Sequence, residues 1–147
     1  MNNFSKAKVL CIGDLILDCY AVGGVEKISP EAPIPILKLN KKEYILGGAG
    51  NVARNISAGG GYCFLLSVIG KDNAEKKLIK LLGIEKNIEP LIVKDPKRPT
   101  TMKTRFVSGS QQILRVDDEI NKDINQEIEI KVLRLFKKKI KDCDIVI

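Results

Sequence analysis

Histidine is absent from this chain, which removes the base of a histidine-dependent catalytic triad and the commonest nitrogen ligand of zinc. The four cysteines, Cys11, Cys19, Cys63 and Cys143, include no C-x-x-C pair, so they read as reduced, structural thiols. No apolar run approaches the length of a membrane span, and the opening Met-Asn-Asn-Phe-Ser-Lys holds no signal-peptide core. A cytosolic protein without a membrane partner is the expectation. Aromatic residues make up 5% of the chain and no nucleic-acid-binding module is recognisable, so the net charge of +7 does not by itself predict a nucleic-acid partner. No internal repeat, low-complexity segment or linker divides the sequence.

What is present suits one globular domain. A chain of 147 residues is long enough to bury about two-thirds of its unfolded surface, and 44% hydrophobic with 29% charged residues is an ordinary soluble composition. Much of the positive charge falls within residues 131–141, where Val132, Leu135, Phe136 and Ile140 keep helical spacing between the lysines. That pattern predicts a helix over residues 123–141 with a solvated basic face.

Glycines and side-chain amides concentrate in one stretch, Gly47-Gly48-Ala49-Gly50-Asn51-Val52-Ala53-Arg54-Asn55. Glycine lets a backbone approach a ligand closely because no Cβ intervenes. Val52, Ala53 and Ile56 then open an apolar helical pattern, so the turn feeds a helix N-terminus, which favours an anionic or hydroxyl-rich ligand. Asn51 and Asn55 share a helical face. The plain structural reading is a packing turn with Asn51 as N-cap.

Val9-Leu10-Cys11-Ile12 is a continuous apolar run ending at Gly13, as in a parallel strand covered on both faces. Asp14 and Asp18 follow it, where open α/β sheets bind ligands, and a carboxylate suits the pairing of two sugar hydroxyls. Either is otherwise a turn or cap aspartate. Ser29-Pro-Glu-Ala-Pro-Ile-Pro rules out a central strand but allows an edge or an excursion, so a protruding flap is predicted, with residues 38–46 extended on its return. Further along come a helix closed by Gly59-Gly60-Gly61, a strand over residues 63–69, a helix over 74–82 capped by Asp72 or Asn73, and a strand over 88–93.

Residues 100–107 and 111–116 read as a hairpin around Ser108-Gly109-Ser110. With those residues as the loop, Lys103 falls opposite Arg115, and Lys103, Arg105, Gln111 and Arg115 share one face. Like charges placed opposite each other are unfavourable unless an anion lies between them, which predicts a phosphate or sugar-phosphate site. The alternative is an exposed hairpin protected by basic residues.

Asp144-Ile145-Val146-Ile147 begins another buried-looking strand with no crossover after it, so the chain is expected to be truncated. A competing reading of the glycine turn also stands. Gly48-Ala-Gly50-Asn-Val-Ala53 fits the dinucleotide fingerprint, with Asp72 about twenty residues on, as a ribose-binding acid would be. Against it, the segment leading into the turn carries lysines and a glutamate where a buried strand is required.

Taken together, Gly13-Asp-Leu-Ile-Leu-Asp-Cys-Tyr20, Ile28-Ser-Pro-Glu-Ala-Pro-Ile-Pro-Ile36, the glycine turn from Gly47, and Gln111-Gln-Ile-Leu-Arg-Val-Asp117 resemble the N-terminal half of a ribokinase-family sugar kinase. Within that family they are most similar to the heptose-7-phosphate kinases of lipopolysaccharide precursor synthesis, some of which carry a nucleotidyltransferase domain as well. The resemblance implies an α/β fold, with residues 1–147 as the N-terminal part of one kinase domain. Its mostly parallel sheet is flanked by helices, and a small β lid spans roughly residues 20–46 and 100–117. It implies ATP and Mg2+ as cofactors, a sugar phosphate as substrate, and a homodimer through the lid. Asp18 matches the family's sugar-gripping aspartate, and Gly47, Gly48 and Asn51 match its glycine-rich sugar turn. Lys103, Arg105, Gln111 and Arg115 fall where substrate or phosphate contacts are expected, with Asp14 a further substrate residue. The family's catalytic base stands in a Gly-Ala-Gly-Asp motif of the C-terminal half. Here the nearest string, Gly48-Ala49-Gly50-Asn51, ends in asparagine, so no catalytic residue is assigned and the chain alone is not expected to transfer phosphate.

Overall fold

Alternate residues of the first apolar run face opposite ways, and both sides are covered. In the computed structural model, which describes residues 7–147, strand β1 spans Lys8–Ile12. Val9 and Cys11 join one core and Leu10 another, which is why the run reads as continuous. The leader-free reading of residues 1–6 lies outside the described residues.

The chain continues through β2 (Leu15–Ile28), β3 (Pro35–Gly48), helix α1 (Ala49–Ala58), β4 (Tyr62–Ile69), α2 (Asn73–Leu82) and β5 (Ile88–Lys94). A hairpin of β6 (Met102–Ser108) and β7 (Gln111–Asp118) follows, then α3 (Gln126–Lys139), a 3-10 turn over Ile140–Asp142, and β8 (Ile145–Val146). Two four-stranded sheets result. The order β5-β4-β1-β8 is parallel throughout, whereas in β3-β2-β6-β7 only the β2–β6 pair is parallel. The α/β architecture expected from the sequence is the observed one.

Helices α1 and α2 cover one face of the parallel sheet, setting Ala53, Ile56, Leu78 and Leu82 against Val9 and Leu65. On the other face, Val132, Leu135 and Phe136 of α3 pack on Leu10, Phe64 and Leu66. The fully buried leucines among these, Leu10, Leu65, Leu66 and Leu78, contribute about 1.5–3 kcal/mol each. The lysines Lys131, Lys137 and Lys138 of α3 are exposed as predicted, but Lys139 departs from the expected solvated face, lying 4.2 Å from the centre of the Phe64 ring and pairing with Glu89 at 2.8 Å.

The helix ends follow capping chemistry. Asp72 accepts from the Glu75 backbone N–H at 2.8 Å and starts α2. Asn125 accepts from Ile128 at 3.0 Å, so α3 begins later than the predicted residue 123. After α1 the amides of Gly59, Gly60 and Gly61 each donate back to the helix at 3.0 Å, and Gly60 takes φ +88°. The N-cap of α1 is Gly48 rather than Asn51, which lies two residues inside the helix and is exposed.

The predicted flap is a long hairpin, β2–β3, with residues 29–34 at its tip. Pro35 opens β3 and Pro90 sits in β5, both edge strands, where a missing N–H costs no ladder bond. The last strand is present and pairs with β1, but Ile145 is 49% exposed because β8 is the outermost strand of its sheet among the described residues.

Candidate functional site

Two residues, Gly13 and Asp14, carry the chain from the end of β1 in one sheet to the start of β2 in the other. Asp14 is exposed at the C-terminal end of a parallel strand, the expected place for a ligand-binding carboxylate. Its carbonyl accepts the first N–H of α1, from Ala49, at 2.9 Å. That contact requires Gly48, whose φ is +55° and where a Cβ would stand 2.2 Å from the Asp14 oxygen.

Asp18, which the sequence reading placed only as following the first strand, lies inside β2. Leu15, Leu17, Cys19 and Ala21 are buried while Ile16, Asp18 and Tyr20 are half-buried, a period-2 signal the apolar composition masked. Gly47 sits beside it on β3, and a Cβ there would stand 2.3 Å from Asp18 Oδ2 and 2.9 Å from its Cγ. The two glycines therefore let β3 close against both aspartate-bearing positions.

Arg105 of β6 donates to Asp18 Oδ1 in a half-buried ion pair. Its guanidinium carbon lies 5.5 Å from the centre of the Tyr20 ring, within cation–π range. The hydrogen bond to Asp18 outweighs partial burial and raises the Arg105 pKa above its ordinary value.

The hairpin register differs from the predicted one. The loop is Gly109-Ser110, with Ser108 opposite Gln111, and a bulge then brings Arg105 opposite Arg115 and Lys103 opposite Asp117. Gln111, paired with Ser108, is thereby separated from the face of Lys103 and Arg105, since neighbours along a strand alternate sides. The opposed arginines have intramolecular anions. Arg115 donates to Asp117 at 2.9 and 3.0 Å. Lys103 Nζ lies 2.9 Å from Asp117 and 3.0 Å from Glu119. Those bonds raise the Lys103 pKa, and the one from Lys103 lowers that of Asp117. Tyr20, Asp117 and Glu119 were missed from the sequence, although Asp117 is two residues past Arg115 and so on its side of the strand.

Of the predicted residues, Asp14 alone lines the main cavity. A cavity of about 490 Å³ takes in Asp14, Ser67, Arg98, Thr101, Glu119 and Lys122. Asp18, Gly47, Asn51 and Arg105 do not line it. Ser67, invisible to motif reasoning, is a buried polar residue of the Tyr62–Ile69 strand.

The dinucleotide reading is not supported. The strand before the glycine turn is an antiparallel edge, β3, not a buried parallel one. Asp72 is engaged structurally: it accepts Glu75 N–H and, at 2.7 Å, Thr100 N–H. Burial opposes its ionisation, but these bonds prevail and lower its pKa. Among the described residues no group of three or more His, Cys, Asp or Glu side chains is placed to hold a metal ion.

Comparison with known proteins gives a consistent picture. The pfkB family of carbohydrate kinases matches residues 6–141. The chain is 50% identical over 117 residues to the bifunctional protein HldE of Rhodospirillum rubrum, covering 80% of this chain and 24% of that protein. It is 42% identical over 144 residues to the corresponding protein of a Caulobacter species, covering 98% and 29%. This chain thus spans less than a third of the length of either relative. Among solved structures, a carbohydrate kinase from Agrobacterium tumefaciens superposes with a TM-score of 0.71 at 17% identity, covering 95% of this chain and 44% of that one.

Proposed function

The chain belongs to the pfkB family of carbohydrate kinases, and from that premise we propose that it forms the sugar-binding part of an ATP-dependent kinase. The proposed substrate is heptose 7-phosphate, phosphorylated at its anomeric hydroxyl for the nucleotide-sugar precursor of lipopolysaccharide. The work is assigned to the cytoplasm; no helix among the described residues is long and apolar enough to cross a membrane.

The observation that carries this reading is the Asp18–Arg105 pair seated on Gly47. A carboxylate accepts hydrogen bonds from two adjacent sugar hydroxyls, while a guanidinium matches a phosphate. Lys103 and Arg115 stand on the same face and supply further positive charge. Their present partners are Asp18, Asp117 and Glu119, so a phosphorylated sugar binds by exchanging carboxylates of the protein for its own anion. The role of Gly48 and Asn51 is to bring the start of α1 to the same sugar.

In such kinases ATP supplies the phosphoryl group and Mg2+ offsets its charge. This chain's own residues are assigned binding and orientation of the sugar phosphate only. A non-catalytic sugar-phosphate-binding module is the second reading: it would bind a sugar phosphate without ATP and need Asp18 and Arg105 but no base, in keeping with the lack of a Gly-Ala-Gly-Asp string in these residues. A homodimer through the second sheet belongs to the same proposal, since Leu39, Leu114 and Val116 fall on one face of it and are 47%, 54% and 47% exposed.

Calorimetric titration tests the proposal. Heptose 7-phosphate should bind the purified chain, bind more weakly to Asp18→Asn and Arg105→Ala, and give no sugar-dependent ATP turnover. Binding of NAD in place of the sugar phosphate would reject it, and turnover by this chain alone would reject the division of labour.

A further inference from the structure

The joint between the two sheets is held by a side chain that the proposed reading does not use. Ser67 of β4 is 3% exposed. Its hydroxyl donates to the Gly13 carbonyl at 2.6 Å and accepts the Leu15 N–H at 3.0 Å. Those two groups flank Asp14, whose own carbonyl is taken by Ala49 of α1 at 2.9 Å. Gly13 N–H adds a 3.3 Å bond to the Leu66 carbonyl, one residue before the serine.

A hydroxyl in an otherwise apolar strand is costly unless its hydrogen-bonding capacity is used. Here donor and acceptor are both used, and both on one turn. The backbone on each side of Asp14 is thus clamped to the parallel sheet, while its carbonyl is clamped to the helix after the glycine turn. The backbone at Asp14 follows from these three fixed points, and Asp14 lines the roughly 490 Å³ cavity that Ser67 also lines.

We propose that Ser67 is a positioning residue for sugar binding: it sets the Asp14 carboxylate at the cavity wall and couples that carboxylate to the start of α1. The inference rests on the sugar-phosphate reading above and adds to it a residue with no chemistry of its own in the reaction. A staple acting only on stability would lower the melting temperature and leave the affinity of the folded protein unchanged.

The test is a double-mutant cycle with heptose 7-phosphate as the titrant, together with amide hydrogen exchange on the ligand-free chain. Ser67→Ala should weaken binding about three- to tenfold and speed exchange at Leu15 and Ala49. Asp14→Asn should also weaken binding, and the double variant should bind no worse than Asp14→Asn alone, because both changes remove one contribution. Should Ser67→Ala fail to fold, Ser67→Cys, with a weaker donor and acceptor at the same place, should give a smaller loss of the same kind. Unchanged affinity in the folded serine variants, or losses that add in the double variant, overturns the inference while leaving the proposed function standing. If the unaltered chain binds no sugar phosphate, the proposed function fails and the inference fails with it; faster exchange at Leu15 and Ala49 would then mark Ser67 as a structural staple alone.

Discussion

Arg105 reaches Asp18 diagonally across the parallel pair β2–β6, for the residue opposite Asp18 is Lys103 and the residue opposite Arg105 is Tyr20. The two side chains are only 21% and 16% exposed, so each depends on the other for its charge to be tolerated away from water. Removing one partner leaves the other half-buried and unpaired. Arg105→Ala should cost about 1–3 kcal/mol in urea unfolding, and adding Asp18→Asn should recover part of that loss. A double variant less stable by the sum of the two single changes would contradict the pairing.

Gly47 and Gly24 provide a matched pair of glycine tests. A Cβ at Gly47 meets Asp18 Oδ2 at 2.3 Å, whereas at Gly24 nothing lies within 4 Å. Gly47→Ala should displace the Asp18 carboxylate and lower sugar-phosphate affinity by about tenfold or more. Gly24→Ala should leave affinity unchanged and alter stability by no more than about 0.5 kcal/mol. Equal effects from the two would remove the argument from close approach.

Asp72 ties the start of α2 to the segment entering β6 by accepting from Glu75 and Thr100. Its folded pKa is lowered, so its contribution is fully present above the unfolded carboxyl value, about 3.9, and is lost as pH falls through the folded one. Asp72→Ala should cost about 1–2 kcal/mol at neutral pH, and the gap from the parent should narrow below about pH 4. A gap that is constant with pH, followed by denaturant titration, would count against an ionised cap.

Cys11, Cys19 and Cys63 are buried, and Cys143 is partly exposed. The hydrogen bond with Cys11, then burial, raises the Cys63 pKa, while burial also raises that of Cys143. A thiol reagent at neutral pH should therefore modify the native protein slowly and at Cys143 alone, with all four thiols reacting in denaturant. Rapid labelling of Cys11 or Cys63 in the native state would show that the sheet between α1 and α3 opens readily.

Much of the architecture was legible in the residues themselves. Continuous apolar runs at Val9 and Cys63 marked strands covered on both faces, Asp72 and the glycines after residue 58 marked helix ends, and clustered prolines marked an edge. These signals are local, because periodicity and capping are decided within a few residues. The glycine turn and both aspartates were likewise visible as candidates. Their partners were not. A bulge between β6 and β7 slides Asp117 opposite Lys103 and takes Gln111 off the shared face, and a single inserted residue leaves no mark in composition. The strand around Asp18 was not legible because the alternation of Leu15, Leu17 and Cys19 was hidden by apolar neighbours. Ser67 looked like one polar residue in a strand until β4 lay beside β1 and its hydroxyl met the Gly13–Leu15 turn. The sequence alone thus determined the elements and the residues worth watching. The tertiary structure decided which charges meet, since strand register and sheet order bring together side chains as far apart in the chain as Asp18 and Arg105.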